Sequence, residues 1–176
     1  MILLSKQRTR KKNNLPASLT EKRVVLRWVF LIGIVVFAAW YLSTYWYQLM
    51  LIQGRSMEPA YHHLQLVLLD KHCTSYQAGD VAAIDCPGLS ETIVKRVVAV
   101  PGDHVQIVGG SLLVNGSRSA FFEHTVFAYA GLLEKPIFLN EGEYIVIGDN
   151  VSLSKDSRYR EVGIVHIHEM AGRVVR

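Results

Sequence analysis

From Trp28 to Tyr47 the chain reads WVFLIGIVVFAAWYLSTYWY, twenty residues without a charge or a proline. The hydrocarbon core of a bilayer is about 30 Å thick, and about 20 helical residues span it. A helix buried in a soluble core would show a polar stripe, and this run shows almost none. A cleavable secretion signal has a shorter apolar stretch with small residues at the cut. Here the run ends in Tyr45, Trp46 and Tyr47, which with Trp28 at the other end suit the two interfacial aromatic belts. We read residues 28–48 as an uncleaved transmembrane anchor, so the rest of the chain must fold on one side of a bilayer.

Charge gives the orientation. The chain carries a net +4, but eight of its nineteen Lys and Arg fall in residues 1–28, against one acid, Glu21. The remainder holds eleven basic and fourteen acidic residues and is mildly acidic. The positive-inside rule keeps residues 1–27 in the cytoplasm as a basic tail and sends residues 49–176 across the plasma (inner) membrane in a single pass. A nucleic-acid role for KQRTRKK (6–12) is not needed, because a retained tail accounts for its charge. The expected partner is the lipid bilayer, with no nucleic acid. The tail is short, polar and broken by NNLP, which predicts an unstructured segment.

Past the anchor the pattern changes from helical to stranded. LQLVLLD (64–70), DVAAID (80–85), TIVKRVVAV (92–100), HVQIVGGSLLVNG (104–116) and EYIVIGD (143–149) are short runs rich in Val, Ile and Leu. They are separated by the turn sequences AGD, CPG, PGD, NG and EGE. Gly109-Gly110 between two apolar runs predicts a hairpin. Residues 118–141 read as loop and irregular strand. The fold class that follows is mainly β, with antiparallel sheets behind one N-terminal transmembrane helix, and about 120 residues suffice for one core. Cys73 and Cys86 read as lying on neighbouring strands. An oxidising compartment permits a disulfide between them, and two buried thiols are the more ordinary state.

Ser56, in GRSMEPAY (54–61), directly follows the anchor, and a serine hydroxyl needs a base to become a nucleophile. Seven histidines (62, 63, 72, 104, 124, 166 and 168) are available, none in a recognisable triad frame. His62-His63 and HIH (166–168) lack the clustered carboxylates or Cys-x-x-Cys spacing of a metal site, so no metal and no cofactor are expected. Lys95 is the other candidate base. An amine takes a proton only when neutral, and burial favours that form. Lys95 sits among Val94, Val97 and Val98 and alternates with Arg96, so one of the two basic residues points inward. From periodicity alone, an edge-strand lysine in water is the more ordinary reading.

Three segments in order resemble the boxes of the type I signal peptidases, membrane-anchored Ser/Lys peptidases. GRSMEP (54–59) is similar to their nucleophile box, KRVVAVPGD (95–103) to their lysine box, and GDNVSLSKDSR (148–158) to their third box. The resemblance covers most of residues 50–165 and fades in 104–142. It implies a signal-peptidase-like β domain in which Ser56 is the nucleophile, Lys95 the general base, and Ser154 a hydrogen-bonding partner that orients the amine. It implies that Asp156 and Arg158 brace the third box with Arg96 nearby, and that Gly148, Asp149 and Asn150 shape a turn. Met57 would contribute a hydrophobic floor for the substrate and Pro59 would fix the turn beside it. The oxyanion would be held by the Ser56 N–H. Some relatives add a hydroxyl two residues earlier, where this chain has Gly54, so a water or another N–H is expected to substitute. AYHHLQ (60–65) and YREVG (159–163) also depart from the family pattern, at the borders of the substrate cleft.

The implied reaction is removal of N-terminal signal peptides from translocated precursors, cut after small-x-small motifs, without metal or cofactor. Within that chemistry the client is either the general run of precursors or one dedicated precursor, such as a pilin or conjugation-type protein. Self-cleaving repressor proteases share a Ser/Lys dyad but lack an anchor and the third box. A catalytically inactive membrane-anchored assembly factor is a reading of another class; it leaves Ser56, Lys95 and Ser154 together without a reason.

Overall fold

The computed structural model describes residues 17–175. Most of the basic tail, residues 1–16, lies outside the described residues. The chain divides after Tyr41 into an N-terminal unit and a second unit, Leu42–Arg176. Helix α1 spans Ala17–Tyr45, and its stretch Glu21–Tyr45 is long and apolar enough to cross a membrane. Where charge and composition predict an unstructured tail to residue 27, the helix already runs from Ala17. ASLTEKRVVLR contains neither glycine nor proline and is rich in good helix formers. Apolar side chains are exposed along its length, Phe30, Val35, Phe37 and Leu42 among them.

The second unit is built of antiparallel strands: β1 (Tyr47–Leu51), β2 (Leu66–Asp70), β3 (Val81–Cys86), β4 (Glu91–Ala99), β5 (His104–Val108), β6 (Ser111–Val114), β7 (Ser117–Arg118), β8 (Ile137–Phe138), β9 (Glu143–Ile147), β10 (Val165–His166) and β11 (Met170–Val175). One sheet has the order β1-β2-β11-β3-β4-β9-β10, the other β7-β6-β5-β8. The five expected strand regions are all present. β5 and β6 form the expected hairpin, with Val108 opposite Ser111 and Gly109 and Gly110 at φ +56° and +77°. Two successive positive φ values are the requirement of a type I′ turn, which glycine meets without steric cost. Residues 118–141, read from the sequence as loop and irregular strand, hold the end of β7, two 3-10 turns and β8 among loop. β1 and β11 were not legible: the first continues the aromatic end of the apolar run, so Tyr47 and Gln48 are strand rather than anchor helix, and the second is a short stretch at the chain end.

β11 inserts between β2 and β3, so the stretches that carry Cys73 and Cys86 are not on neighbouring strands as expected. Both are free thiols: the Cys73 S–H donates to the Ser75 carbonyl at 2.9 Å, the Cys86 S–H to the Glu161 carbonyl at 3.4 Å.

Three apolar clusters hold the strands. One joins β4 and β9 to the smaller sheet through Val98, Ile145, Ile147, Ile107, Leu112 and Leu133. The second and third cover opposite faces of the larger sheet, around Ile52, Met57 and Val67 and around Ile84, Val97 and Val146. Outward from β1 and β2, Leu49 pairs with Leu68 and Leu51 with Leu66, all four exposed. Truncation of a fully buried residue tests the first cluster. Leu133→Ala is expected to cost about 2–5 kcal/mol in denaturant unfolding of the detergent-solubilised chain; a loss under about 0.5 kcal/mol, the scale of a surface change, would show that Leu133 is not core.

Candidate active site

β4 lies between β3 and β9, and seven consecutive residues, Ile93–Ala99, are buried because the strand is covered on both faces. Lys95 opposes Ala82, whose small side chain leaves room, and shares its face with Ile93 and Val97. It is 4% exposed. The edge-strand lysine in water is therefore overturned, though a trace of it survives: β9 pairs with β4 only from Arg96 onward, so Glu91–Lys95 has an open flank. Lys95 Nζ lies 2.9 Å from Ser56 Oγ and donates to the Val94 carbonyl at 2.9 Å. Burial pushes the amine down to about 8, against an opposing pull from the Asp156 carboxylate and weaker pulls from other anionic groups. When charged, the amine donates to Ser56 Oγ; when neutral, it offers the lone pair that the Ser56 hydroxyl donates to.

Ser56 sits in a loop pinned to the strands beneath it. The Ile52 N–H donates to the Gln65 carbonyl at 2.9 Å and the Leu64 N–H to the Ile52 carbonyl at 2.8 Å. The carbonyl of Ser56 accepts the Asn150 N–H at 2.9 Å, so Asn150 does more than shape a turn. Met57, expected on a substrate floor, is 1% exposed and packs into the core with Ile52, Tyr61 and Leu69. It supports the loop from below. Pro59, expected beside the substrate, instead lines a second cleft of about 1030 Å³ with Tyr61, Arg96 and Asp149. The loop reverses there, and Pro59 faces away from the dyad.

Segment 148–158 closes the site. The Asp156 carboxylate takes three bonds from Arg158, Nε to Oδ1 at 2.7 Å, Nη2 to Oδ2 at 2.9 Å and the backbone N–H to Oδ1 at 3.3 Å, and a fourth from the Gly148 N–H at 3.2 Å. Arg158 Nη2 also donates to the carbonyls of Val151 and Ser154. Arg96, expected near this pair, binds elsewhere: Nε and Nη2 grip both oxygens of Asp149 at 2.7 and 2.6 Å, and Nη1 donates to the Gly79 carbonyl. Its position on the opposite face of β4 from Lys95 is the reason. Ser154 is buried, but its Oγ has no hydrogen-bond partner among the described residues, so the expected bond to Lys95 is not made.

The dyad opens on a cleft of about 520 Å³. Met50–Gln53 at the end of β1 form one wall, Glu91–Lys95 the other, and Leu153 and Lys155 the rim. None of the seven histidines lines it. One, His63, touches the nucleophile loop, its Nδ1 accepting the Gly54 N–H at 3.0 Å. The sequence carried no signal for that contact beyond the unusual HH pair.

Gly148 allows the close approach on which the site depends. A Cβ there would stand 2.6 Å from both the Ser56 carbonyl oxygen and Ser154 Cβ. Gly148→Ala is expected to lower stability by about 1–3 kcal/mol through overpacking, read by denaturant unfolding; an unchanged midpoint would show that the approach is looser than this geometry.

The family model for signal peptidase, peptidase S26, matches residues 25–176. Signal peptidase I of Bacillus licheniformis is 29% identical over 166 residues, covering 88% of this chain and 89% of that protein. Signal peptidase IB of Staphylococcus aureus is 25% identical over 173 residues, covering 87% and 88%. A crystal structure of a signal peptidase I from Enterococcus faecalis aligns with a TM-score of 0.47 at 23% identity, covering 57% of this chain and 97% of that one. With the family model matched along all but the first 24 residues, this chain belongs to the signal peptidase family, peptidase S26.

Proposed function

We propose that the chain is a membrane-bound serine endopeptidase that removes signal peptides from translocated precursors, with Ser56 as nucleophile and Lys95 as general base. The observation that carries this reading is the buried Lys95 amine 2.9 Å from Ser56 Oγ, both lining one cleft. The neutral amine takes the Ser56 proton as Oγ attacks the peptide carbonyl. The Ser56 N–H supports the oxyanion of the tetrahedral intermediate. The lysine ammonium then protonates the departing amine, leaving an acyl-enzyme, and the regenerated amine deprotonates the water that releases it. A neutral lysine keeps two N–H donors. The Val94 carbonyl accepts one, and we assign the other to Ser154 Oγ, which is buried and otherwise unpartnered.

The cleft supports binding of the substrate as a strand. Its walls are two strand edges without a partner on the cleft side: β1 beyond its pairing with β2, and Glu91–Lys95 where β9 has ended. An extended peptide between them gains main-chain hydrogen bonds, and its alternate side chains point into the walls. That alternation fits a small-x-small rule. The helix α1 serves as the anchor, with the N-terminus cytoplasmic as the basic segment requires. The exposed Leu49, Leu51, Leu66 and Leu68 ladder suits a catalytic domain working against lipid. A substrate held in the same bilayer then meets the enzyme at raised effective concentration.

Detergent-solubilised wild type is expected to cut a precursor bearing an A-x-A site, while Ser56→Ala and Lys95→Ala, both folded, lose at least about a thousandfold in kcat. Equal processing by Lys95→Ala would remove lysine as the base. The pH dependence follows from the same amine. It is charged below its value of about 8 and neutral above, so kcat/KM is expected to rise with pH up to about 8 and level off beyond. Each unit of acidification below that point lowers the neutral fraction about tenfold. A profile flat from pH 8 to pH 5 would count against this mechanism.

A further inference from the structure

The arm Gln53–Arg55 that carries the chain into Ser56 has little packing to hold it. Nothing lies within 4 Å of where a Gly54 Cβ would stand, and the Arg55 side chain is 67% exposed, tied only to the nearby Glu58 carboxylate among the described residues. Gly54 adopts φ +88°, a conformation open to glycine but not self-enforcing. What fixes the arm is a hydrogen bond from the Gly54 N–H to His63 Nδ1 at 3.0 Å. His63 is itself presented by a braced turn. The His62 N–H donates to Gln65 Oε1 at 2.9 Å, the Gln65 N–H to the His62 carbonyl at 3.1 Å, and the Leu64 N–H to the Ile52 carbonyl at 2.8 Å. Leu64 holds φ +63° to turn the imidazole back toward Gly54.

We propose that His63 is a positioning residue for Ser56: its Nδ1 lone pair holds the Gly54 N–H, and so sets the direction in which the Ser56 N–H and hydroxyl face the scissile carbonyl. The inference rests on Ser56 being the nucleophile. Three ties then fix the loop in sequence: Ile52 to the strand ladder, Gly54 to His63, and Ser56 to Asn150 and Lys95. Accepting at Nδ1 requires the ring proton on Nε2. The Gly54 N–H is thereby occupied and does not serve as a second oxyanion donor. His63 lies in AYHHLQ (60–65), outside the three segments that carry the family resemblance.

Steady-state cleavage of an A-x-A precursor by full-length wild type, Ser56→Ala, His63→Asn, His63→Leu and His63→Ala tests the idea. Asparagine places an amide oxygen where Nδ1 stood; leucine and alanine remove the acceptor, one keeping bulk and one not. His63→Leu and His63→Ala are expected to lose about five- to tenfold in kcat, the scale of one hydrogen bond, with KM within twofold. His63→Asn is expected to stay within about twofold of wild type, since the acceptor is restored. Unfolding temperatures are followed alongside. Wild-type kcat in His63→Leu or His63→Ala overturns the proposal, and so does equal loss in all three His63 variants. If neither acceptor-free variant folds, His63 serves stability and the proposal fails. Cleavage by Ser56→Ala would instead overturn the nucleophile assignment beneath it.

Discussion

Everything in the site depends on keeping one lysine amine out of water. An ammonium prefers a hydrated surface, and a solvated lysine at neutral pH has no lone pair to offer. Burial of Lys95 in the middle strand of the larger sheet lowers its proton affinity to about 8, a shift of roughly 3 kcal/mol against the charged form. The same burial brings Nζ to Ser56 Oγ. Neither residue is unusual by itself. In the proposed mechanism they work as nucleophile and base because the amine's hydrogen-bond partners among the described residues are a neutral hydroxyl and a backbone carbonyl, not a carboxylate.

The surrounding charges show how narrow that balance is. Asp156 is fully buried and is the strongest influence restoring the proton to Lys95. Unanswered, a buried carboxylate beside a buried amine would form an ion pair, and the lysine would stay charged. Arg158 answers it with two short hydrogen bonds, and the Gly148 N–H takes part of the remaining lone-pair density. The Asp156–Arg158 pair therefore braces the segment and leaves desolvation as the dominant effect on Lys95. Arg96 and Asp149 make a second bidentate pair on the other face of the strand, tying the start of the third segment to β4 while keeping the guanidinium away from the amine.

Much of this was legible in the sequence, and the misses have a common cause. The strands β2 to β6 and β9, the Gly109-Gly110 hairpin and the pairing of Ser56 with Lys95 follow from runs, turn residues and three spaced segments. The burial of Lys95 did not follow, because alternation says which face a residue takes and not whether another strand covers it. β11, from the last residues of the chain, inserts between β2 and β3, and no local pattern announces an insertion of that kind. The resemblance implied Met57 on the substrate floor and Pro59 fixing the turn beside it. In a tight loop, adjacent residues point in different directions, and these two face the core and the second cleft.

The cleft itself is a consequence of strand lengths. β4 outruns β9 by the residues Glu91–Lys95, and β1 is paired on one side only. Unpaired edges are ordinarily a liability, open to strands from other chains. Here Ser56 and Lys95, the pair we propose as catalytic, stand where β9 stops, beside Gly148, so the same break in pairing that would admit a peptide strand ends at the proposed nucleophile. An extended chain drawn in to complete the sheet would run its backbone toward Ser56, and the distance along that strand, counted in residues, would decide which bond reaches the hydroxyl. On that proposal, specificity for a position, more than for a side chain, would be built into the sheet, and small side chains would be required only where the strand's alternate residues meet the walls.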